Sequence, residues 1–473
     1  MLITWSRNKV AVVLLVFGAC GSPAPQMPCT PGAQVGCTCP GGGEGVQTCN
    51  AAGTSLGGCM SCSAPDDLLA ASDAQATTLD LQTAADLSTR EVGSPDLMPA
   101  QDQLVSRAPD ASTASSQDFS TSTQAKTLSF LAATSYSPGG LAGPTSITMG
   151  DLDGDGKPDL ALVEKSTDLI ILRNTGSGAF VPFLDTTYNG FTRTSIVVGD
   201  LNGDGKNDLA APNLDGSNVG VLLNNAAGTG VFTPTAVYPC GAQPGAIAIG
   251  DINGDGSVDL IVAIPLGTKV NLLPGNGSSG TFGAAVSYTV GMNPSAIAVG
   301  DLNGDGLNDL VVTNLLSNTV SVLLSAANKS LLPKVDYTVP AYPASVAIGD
   351  LDGDGKPDIA VANYADVVVL LNGGLGVLGA ATHFGAGTHP SSIALADFDG
   401  DGRLDLAVSN GTSNDVSILL NGGHGSFGTA RSFAVGMNPS SIAVGDLNGD
   451  GLPDIATANQ ASSNVSILLN SSH

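Results

Sequence analysis

The sequence predicts an all-β fold, a seven-bladed β-propeller spanning residues 128–473, on three observations. One nine-residue motif recurs seven times, beginning at Asp151, Asp200, Asp251, Asp301, Asp350, Asp397 and Asp446. Successive starts are 47 to 51 residues apart, a period that suits a four-stranded propeller blade and is too long for one coil of a β-helix. No segment shows an apolar spacing of helical period with caps. Composition agrees. Aromatics are 4 % and Gly accounts for 62 of 473 residues, so the core must be assembled from Val, Ile, Leu and Ala, as in thin, close-packed sheets.

Each repeat reads as four strands. In the fourth, Phe282 to Val290 alternates, and Gly291-Met292-Asn293-Pro294 turns the chain. Ser295 to Gly300 is a run of small residues fit for the innermost strand, where blades crowd the axis. The acidic motif follows, then strands at Leu310 to Asn314 and Val320 to Leu324. An aromatic stands 13 residues before most motif starts (Tyr238, Tyr288, Tyr337, Phe384, Phe433), and this regular placement reads as packing and not as a sugar platform. The phase of the repeats also predicts how the ring closes. Residues 129–136 match an outermost strand that has no blade before it, while the chain ends at Val465 to Leu469 one strand short, so the two should complete a single blade.

The motif reads Asp-x-(Asp/Asn)-Gly-Asp-Gly-x-x-Asp throughout. Its positions 1, 3, 5, 7 and 9 are Asp151, Asp153, Asp155, Lys157 and Asp159 in the first repeat, and Asp200, Asn202, Asp204, Lys206 and Asp208 in the second. The third has Asp251, Asn253, Asp255, Ser257 and Asp259, and the fourth Asp301, Asn303, Asp305, Leu307 and Asp309. The fifth has Asp350, Asp352, Asp354, Lys356 and Asp358, and the sixth Asp397, Asp399, Asp401, Arg403 and Asp405. The seventh has Asp446, Asn448, Asp450, Leu452 and Asp454. Side-chain oxygens at positions 1, 3 and 5 converge when the chain curls, position 7 offers a backbone carbonyl, and the Asp at position 9 closes the shell. The glycines accept the left-handed backbone of the curl. Oxygen ligands without His or Cys select calcium over zinc or copper, and a flexible loop suits it better than magnesium. The motifs hold 24 of the 42 acidic residues. Seven Ca²⁺ would move the formal charge from −26 to about −12. An EF-hand is excluded, because position 12 is Leu162, Ala211, Val262, Val312, Val361, Val408 or Thr457 and never Glu, and strands follow the loop.

These repeats resemble the FG-GAP/VCBS repeats, which share the integrin α-subunit propeller design. The resemblance covers about residues 128–473. Phe282-Gly283 and Phe427-Gly428 match the family's Phe-Gly. Its Gly-Ala-Pro survives in part as Ala211-Pro212 and is replaced by Ala362-Asn363, Ser409-Asn410 and Ala458-Asn459. Integrins carry calcium loops in only some blades, whereas all seven repeats have one here. The resemblance implies fold and metal but no ligand.

The N-terminus reads as a targeting segment of residues 1–19. Arg7 and Lys9 precede an apolar run from Val10 to Phe17, far short of a spanning helix. Phe17-Gly18-Ala19-Cys20 resembles a bacterial lipobox, with Phe17 where Leu is usual. The resemblance implies diacylglycerol on the Cys20 thiol, hence export and a lipid anchor in the outer membrane or at the cell surface, and Gly21 is not the common inner-membrane retention signal. Cys29, Cys37, Cys39, Cys49, Cys59 and Cys62 form a dense, even set within residues 20–62, read as a disulfide knot of undetermined pairing, with a zinc knot as alternative. Residues 63–127 read as a disordered linker. Cys240 stands where a later repeat has Val290 and reads as a buried apolar residue.

The charge of −26 argues against nucleic acid as partner. Gly275 to Gly280 and Gly423 to Gly428 match Gly-x-Gly-x-x-Gly but lack a strand–turn–helix context. There is no nucleophile elbow. Of the four histidines, His383 and His389 flank one repeat turn. The expectation is a non-enzymatic surface module for adhesion or interaction with a protein or glycan. A calcium-dependent polysaccharide lyase is the alternative, since some such enzymes resemble this repeat.

Overall fold

The computed structural model describes residues 34–38, 44–48, 127–137, 143–164, 169–184, 194–224, 232–326 and 330–472. The chain divides into two units, Met1–Ala114 and Ser115–His473. In the first, Gln34–Thr38 pairs antiparallel with Glu44–Thr48, setting Cys37 opposite Gly45. The expectations for the signal segment, Cys20, the other five clustered cysteines and the linker up to residue 126 fall outside the described residues.

The described residues of the second unit form seven four-stranded antiparallel sheets, the blades of a propeller. Blade 4 is representative: Pro294–Gly300, Asp309–Asn314, Thr319–Leu323 and Val335–Thr338, in that order from axis to rim. It carries an additional short hairpin, Ser325–Ala326 with Ser330–Leu331. The innermost strands touch one another in sequence, and that of blade 7 (Pro439–Gly445) returns to that of blade 1 (Pro144–Gly150). The rim strand expected from Phe282 pairs only from Val286 to Thr289, while Phe282 itself bridges Gly275 alone.

Sequence pattern explains the layers. The second strands lie between neighbouring blades and are covered on both sides. In blade 4, Asp309 through Asn314 are all buried, which is why these strands read as unbroken apolar runs. Rim strands have one face in solvent, and their aromatic is only half-buried. At the axis there is little room for a side chain at the end of an inner strand, which is Gly in six blades and Ala396 in blade 6. A Cβ on Gly150 would lie 2.7 Å from Val198 Cγ1, and one on Gly250 the same distance from Val299 Cγ1.

Away from the acidic loops, three kinds of contact join the blades. Near the axis, hydroxyls donate to the backbone of the next blade: Ser295 to the Pro343 carbonyl at 2.7 Å, Ser391 to Pro439 at 2.6 Å, and Ser440 to Pro144 at 3.0 Å. Between the sheets run apolar clusters such as Leu351, Val369, Ile393, Leu406 and Leu419. At the rim, the aromatic of one blade meets a ring or branched side chain of the next. Tyr136 packs edge-on against Phe180, Tyr238 against Phe282 and Phe384 against Phe427, at centroid separations of 5.6, 5.3 and 5.2 Å. The recurring aromatics are packing residues, as their spacing predicts. Cys240 is buried in the cluster between blades 2 and 3, and burial pushes its thiol up to about 12.

Closure follows the predicted phase. Thr134–Tyr136 pairs antiparallel with Asn464–Leu468, Tyr136 opposite Val465, so blade 7 takes its rim strand from the start of the unit. Backbone bonds continue the join from Leu131 N to the Leu469 carbonyl and from Ser471 N to that of Ser129, both 2.8 Å. Leu128 is buried there, and Phe130 packs on Phe433 at 4.8 Å. The join removes two open edges. A chain lacking residues 127–137 is therefore expected to melt several degrees lower and to aggregate, and Leu128→Ala to lose about 2–5 kcal/mol. Calorimetry with light scattering checks this, and an unchanged melt in both variants would refute it.

Candidate metal centres

Every acidic loop joins the end of an inner strand to the start of the second, so all seven lie on one face of the ring. The last Asp of each motif is the first residue of a second strand: Asp159, Asp208, Asp259, Asp309, Asp358, Asp405 and Asp454.

The Asp at position 1 organises the curl. Asp151 Oδ1 accepts from the amides of Gly154 and Asp155 at 2.7 and 3.1 Å, and Oδ2 from Gly156 at 2.9 Å. Asp200, Asp301 and Asp446 repeat all three bonds. Gly154 and Gly156 have φ of +79° and +83°, a backbone that L side chains rarely adopt.

The Asp at position 9 has no exposed surface in any repeat. Asp159 Oδ2 accepts from the amide of Leu152 at 3.0 Å and Oδ1 from that of Asn174 at 2.7 Å. The same pair of bonds recurs in the other six blades. Burial disfavours the charged form, and the neighbouring loop carboxylates add repulsion that the two amide bonds only partly offset. The carboxyl group of Asp159 is raised to about 6, Asp454 to about 6 and Asp405 to about 7. Asp208, Asp259, Asp309 and Asp358 shift in the same direction.

Carboxylate oxygens of positions 1, 3 and 9 converge within 4.8 Å of one another in three loops, Asp151–Asp153–Asp159, Asp350–Asp352–Asp358 and Asp397–Asp399–Asp405. In the other four, position 3 is Asn202, Asn253, Asn303 or Asn448, an amide oxygen in place of a carboxylate. Position 5 stands outside these groups. Lys157, Lys206, Lys356 and Arg403 at position 7 reach back to the carboxylates of Asp155, Asp204, Asp354 and Asp401. The hydrogen bond from the lysine holds the Asp155 and Asp354 carboxyls below the usual range. Ser257 accepts from the Gly277 amide at 3.1 Å, while Leu307 and Leu452 have only backbone oxygen to offer. The donor set fits a hard cation: it is all oxygen, and Asp399 Oδ1 and Asn253 Oδ1 are buried with no hydrogen-bond partner.

Asparagines that the motif does not contain complete the site. The residue whose amide meets the position-9 Asp is Asn174, Asn224, Asn372, Asn421 or Asn470 in five blades. Its side chain donates to the position-2 carbonyl of the preceding blade's loop: Asn174 to Leu447, Asn224 to Leu152, Asn372 to Leu302, Asn421 to Leu351 and Asn470 to Phe398, at 2.7–2.9 Å. Ser325 does the same toward Ile252 at 3.1 Å, and Gly275 in blade 3 has no side chain to do so. The Leu-Leu-Asn that recurs at the end of the third strand in four blades, with Leu172-Arg173-Asn174 in blade 1, is the signal that could have found them. Position 9 therefore has a structural role independent of any ion. In chelator, Asp405→Asn is expected to cost about 1–3 kcal/mol, because an amide cannot accept with both ends and leaves a buried N–H unpaired. Asp401→Asn, at the exposed position 5, is expected to cost under about 0.5 kcal/mol. Denaturant melts check this, and equal losses would refute it.

Among solved structures, the chain is similar to BBS1N in complex with ARL6DN, at 16 % identity over 72 % of this chain and 96 % of that one, TM-score 0.52. It is also similar to an inactive variant of virginiamycin B lyase from Staphylococcus aureus with quinupristin, at 14 % identity over 72 % and 99 %, TM-score 0.50. At such identities the likeness extends to the fold alone. No curated protein sequence matches the chain. The FG-GAP-like repeat matches residues 151–211, 200–262, 301–361, 350–408 and 397–457, more than half of the chain and each span running from one acidic loop into the second strand of the next blade. With the acidic loop, the strand order and the repeat in agreement, the chain belongs to the FG-GAP-like repeat family.

Proposed function

We propose that this protein is an exported, lipid-anchored propeller that holds about seven Ca²⁺ and serves as a surface module for adhesion or interaction, its partner a protein or glycan. The observation that carries the metal reading is the convergence of oxygen donors from positions 1, 3 and 9 in loops repeated on a single face. In such a site the position-5 carboxylate would exchange its Lys or Arg partner for the ion, and position 7 would add its carbonyl. Calcium suits the mixed carboxylate and amide donors and the absence of nitrogen and sulfur ligands. A bound cation would also offset the burial, and the smaller repulsion, that raise the position-9 carboxyls. Against a polysaccharide lyase, His383 is held by Asp366 at 2.6 Å and His389 packs on Tyr364, so the two do not form a catalytic pair.

Sites of extracellular type bind at roughly 10⁻⁴–10⁻³ M. Each then stabilises the fold by about 1 kcal/mol at five times its Kd. Melting temperature should fall on chelation and recover with Ca²⁺ more than with Mg²⁺. Acidification separates the two states. Without metal, the position-9 carboxyls bind protons more tightly folded than unfolded, so stability should rise as pH falls through about 7 to about 6. With Ca²⁺, protons compete with the ion and stability should fall over the same range. Melting curves at both pH values, with chelator and with Ca²⁺, test this, and a melt indifferent to chelation would sink the calcium reading.

The anchor rests on Cys20. Cys20→Ser cannot form the thioether, so the variant is expected to leave the detergent phase that wild type enters. Identical partitioning would exclude lipidation at this residue.

A further inference from the structure

The face opposite the acidic loops is built from two turns per blade, one leading from the rim strand into the next inner strand and one joining the second and third strands. Seven copies of these turns show what the fold itself requires. The residue before the Pro that opens the inner strand has a left-handed backbone in blades 3 to 7: Gln243, Asn293, Tyr342, His389 and Asn438, with φ between +52° and +60°. An Asn one blade earlier fixes this geometry: Asn414 Oδ1 accepts from the Asn438 amide at 2.8 Å, and Asn318 Oδ1 from the Tyr342 amide at 3.1 Å. Asn tolerates that backbone, whereas a bulky aromatic is strained there. Blade 5 nevertheless places Tyr342 at the position, half exposed, and adds Tyr364 in its second turn, 56 % exposed.

These rings meet at the seam of blades 5 and 6. Tyr342 and Tyr364 stand edge to face with centroids 6.1 Å apart, and His389 of blade 6 tilts against Tyr364 at 4.9 Å. Beside them a side chain of blade 7 closes in on a glycine of blade 6. The residue whose amide bonds back to the left-handed position is Leu315 in blade 4 and Gln460 in blade 7, but Gly411 in blade 6. A Cβ at Gly411 would lie 2.9 Å from Asn438 Oδ1 and 3.6 Å from His389 Nδ1, so the Asn438 side chain sits close over the glycine, beside the imidazole.

We propose that this corner is a glycan-binding site. One pyranose ring lies with its C–H face on the exposed tyrosines, its hydroxyls directed to His389 Nδ1 and the Asn438 amide above Gly411. The rings touch, so no ammonium group fits between them as in an aromatic cage. A flat ligand with one apolar face and a polar edge is what the corner offers contacts to. Elsewhere on this face Leu266, Met292, Leu316 and Met437 are exposed without such ring contacts. The proposal rests on the reading of the propeller as an interaction module and supplies the ligand class and place.

The full chain in calcium buffer is probed on an array of neutral oligosaccharides, and the strongest binder is titrated against wild type, Tyr342→Asn and Tyr364→Ala. Each variant is expected to lose at least tenfold in affinity. Tyr342→Asn should melt no lower than wild type, since Asn occupies this position in blades 4 and 7. A blank array overturns the proposal, as does glycan binding indifferent to both substitutions, or Tyr342-dependent capture of a protein with no sugar bound. The calcium melts are read in the same preparations. A chelator-insensitive melt would fail the calcium reading, and the glycan site would still stand or fall on the array and the two variants.

Discussion

The buried aspartate at position 9 is the group on which the rest of the propeller depends. Each one accepts two backbone amides, one from the loop it ends and one from a residue at or just beyond the end of the third strand of its own blade. Only a carboxylate can do this, since both of its oxygens are acceptors. The side chain therefore ties the loop, the second strand and the third strand into one unit. Its burial is unfavourable for the charge, as the upward shifts of Asp159, Asp405 and Asp454 record. A fold that sets seven such carboxyls beneath further carboxylates gains from any cation that settles above them.

The same aspartate is linked to its neighbours. The Asn that donates its amide to the position-9 carboxylate sends its side chain to the loop of the blade before, so one loop's shape bears on the next. The chain of contacts is interrupted only where Gly275 stands in for Asn, at the seam of blades 2 and 3. That seam has the apolar cluster around Cys240 and the Tyr238–Phe282 contact to hold it. In a linear array each repeat has only two neighbours and the terminal ones have one. Pairing Thr134–Tyr136 with Asn464–Leu468 abolishes both ends, so loops, clusters and rim contacts close on themselves.

Much of this was legible in the sequence because a repeat prints the same constraint seven times. The period gave the blade, the position of the motif between strands gave the face it occupies, and the phase of the first and last strands gave the closure. Less legible was whatever depends on where a side chain turns. That Asp155 leans on Lys157, outside the group formed by Asp151, Asp153 and Asp159, is a matter of side-chain direction within the curl. The asparagine links span about 70 residues of chain and appear in sequence only as a single letter after two leucines. The short pairing of the rim strand at Val286–Thr289 arises because Gly283 bonds back to the Pro274 carbonyl and bends the chain off the sheet.

Internal repetition also separates structure from recognition. A residue present in all seven blades answers to a demand that all seven share, and the acidic loops and the inner-strand small residues are of this kind; the rim aromatics recur in most blades. Seven equivalent loops offer no unique place for a partner to bind, which makes any ion they hold part of the framework. Discrimination must then arise where one blade departs from the others without structural need. Tyr342 is such a departure, because the backbone it occupies is set by Asn318 and is met elsewhere by residues that suit it better. Gly411, where the counterparts carry Leu or Gln, lets the Asn438 side chain approach to where a Cβ would otherwise stand. The two positions fall on adjacent blades and on one face. On a scaffold this regular, their coincidence marks the seam of blades 5 and 6 as the place where the propeller ceases to be symmetric.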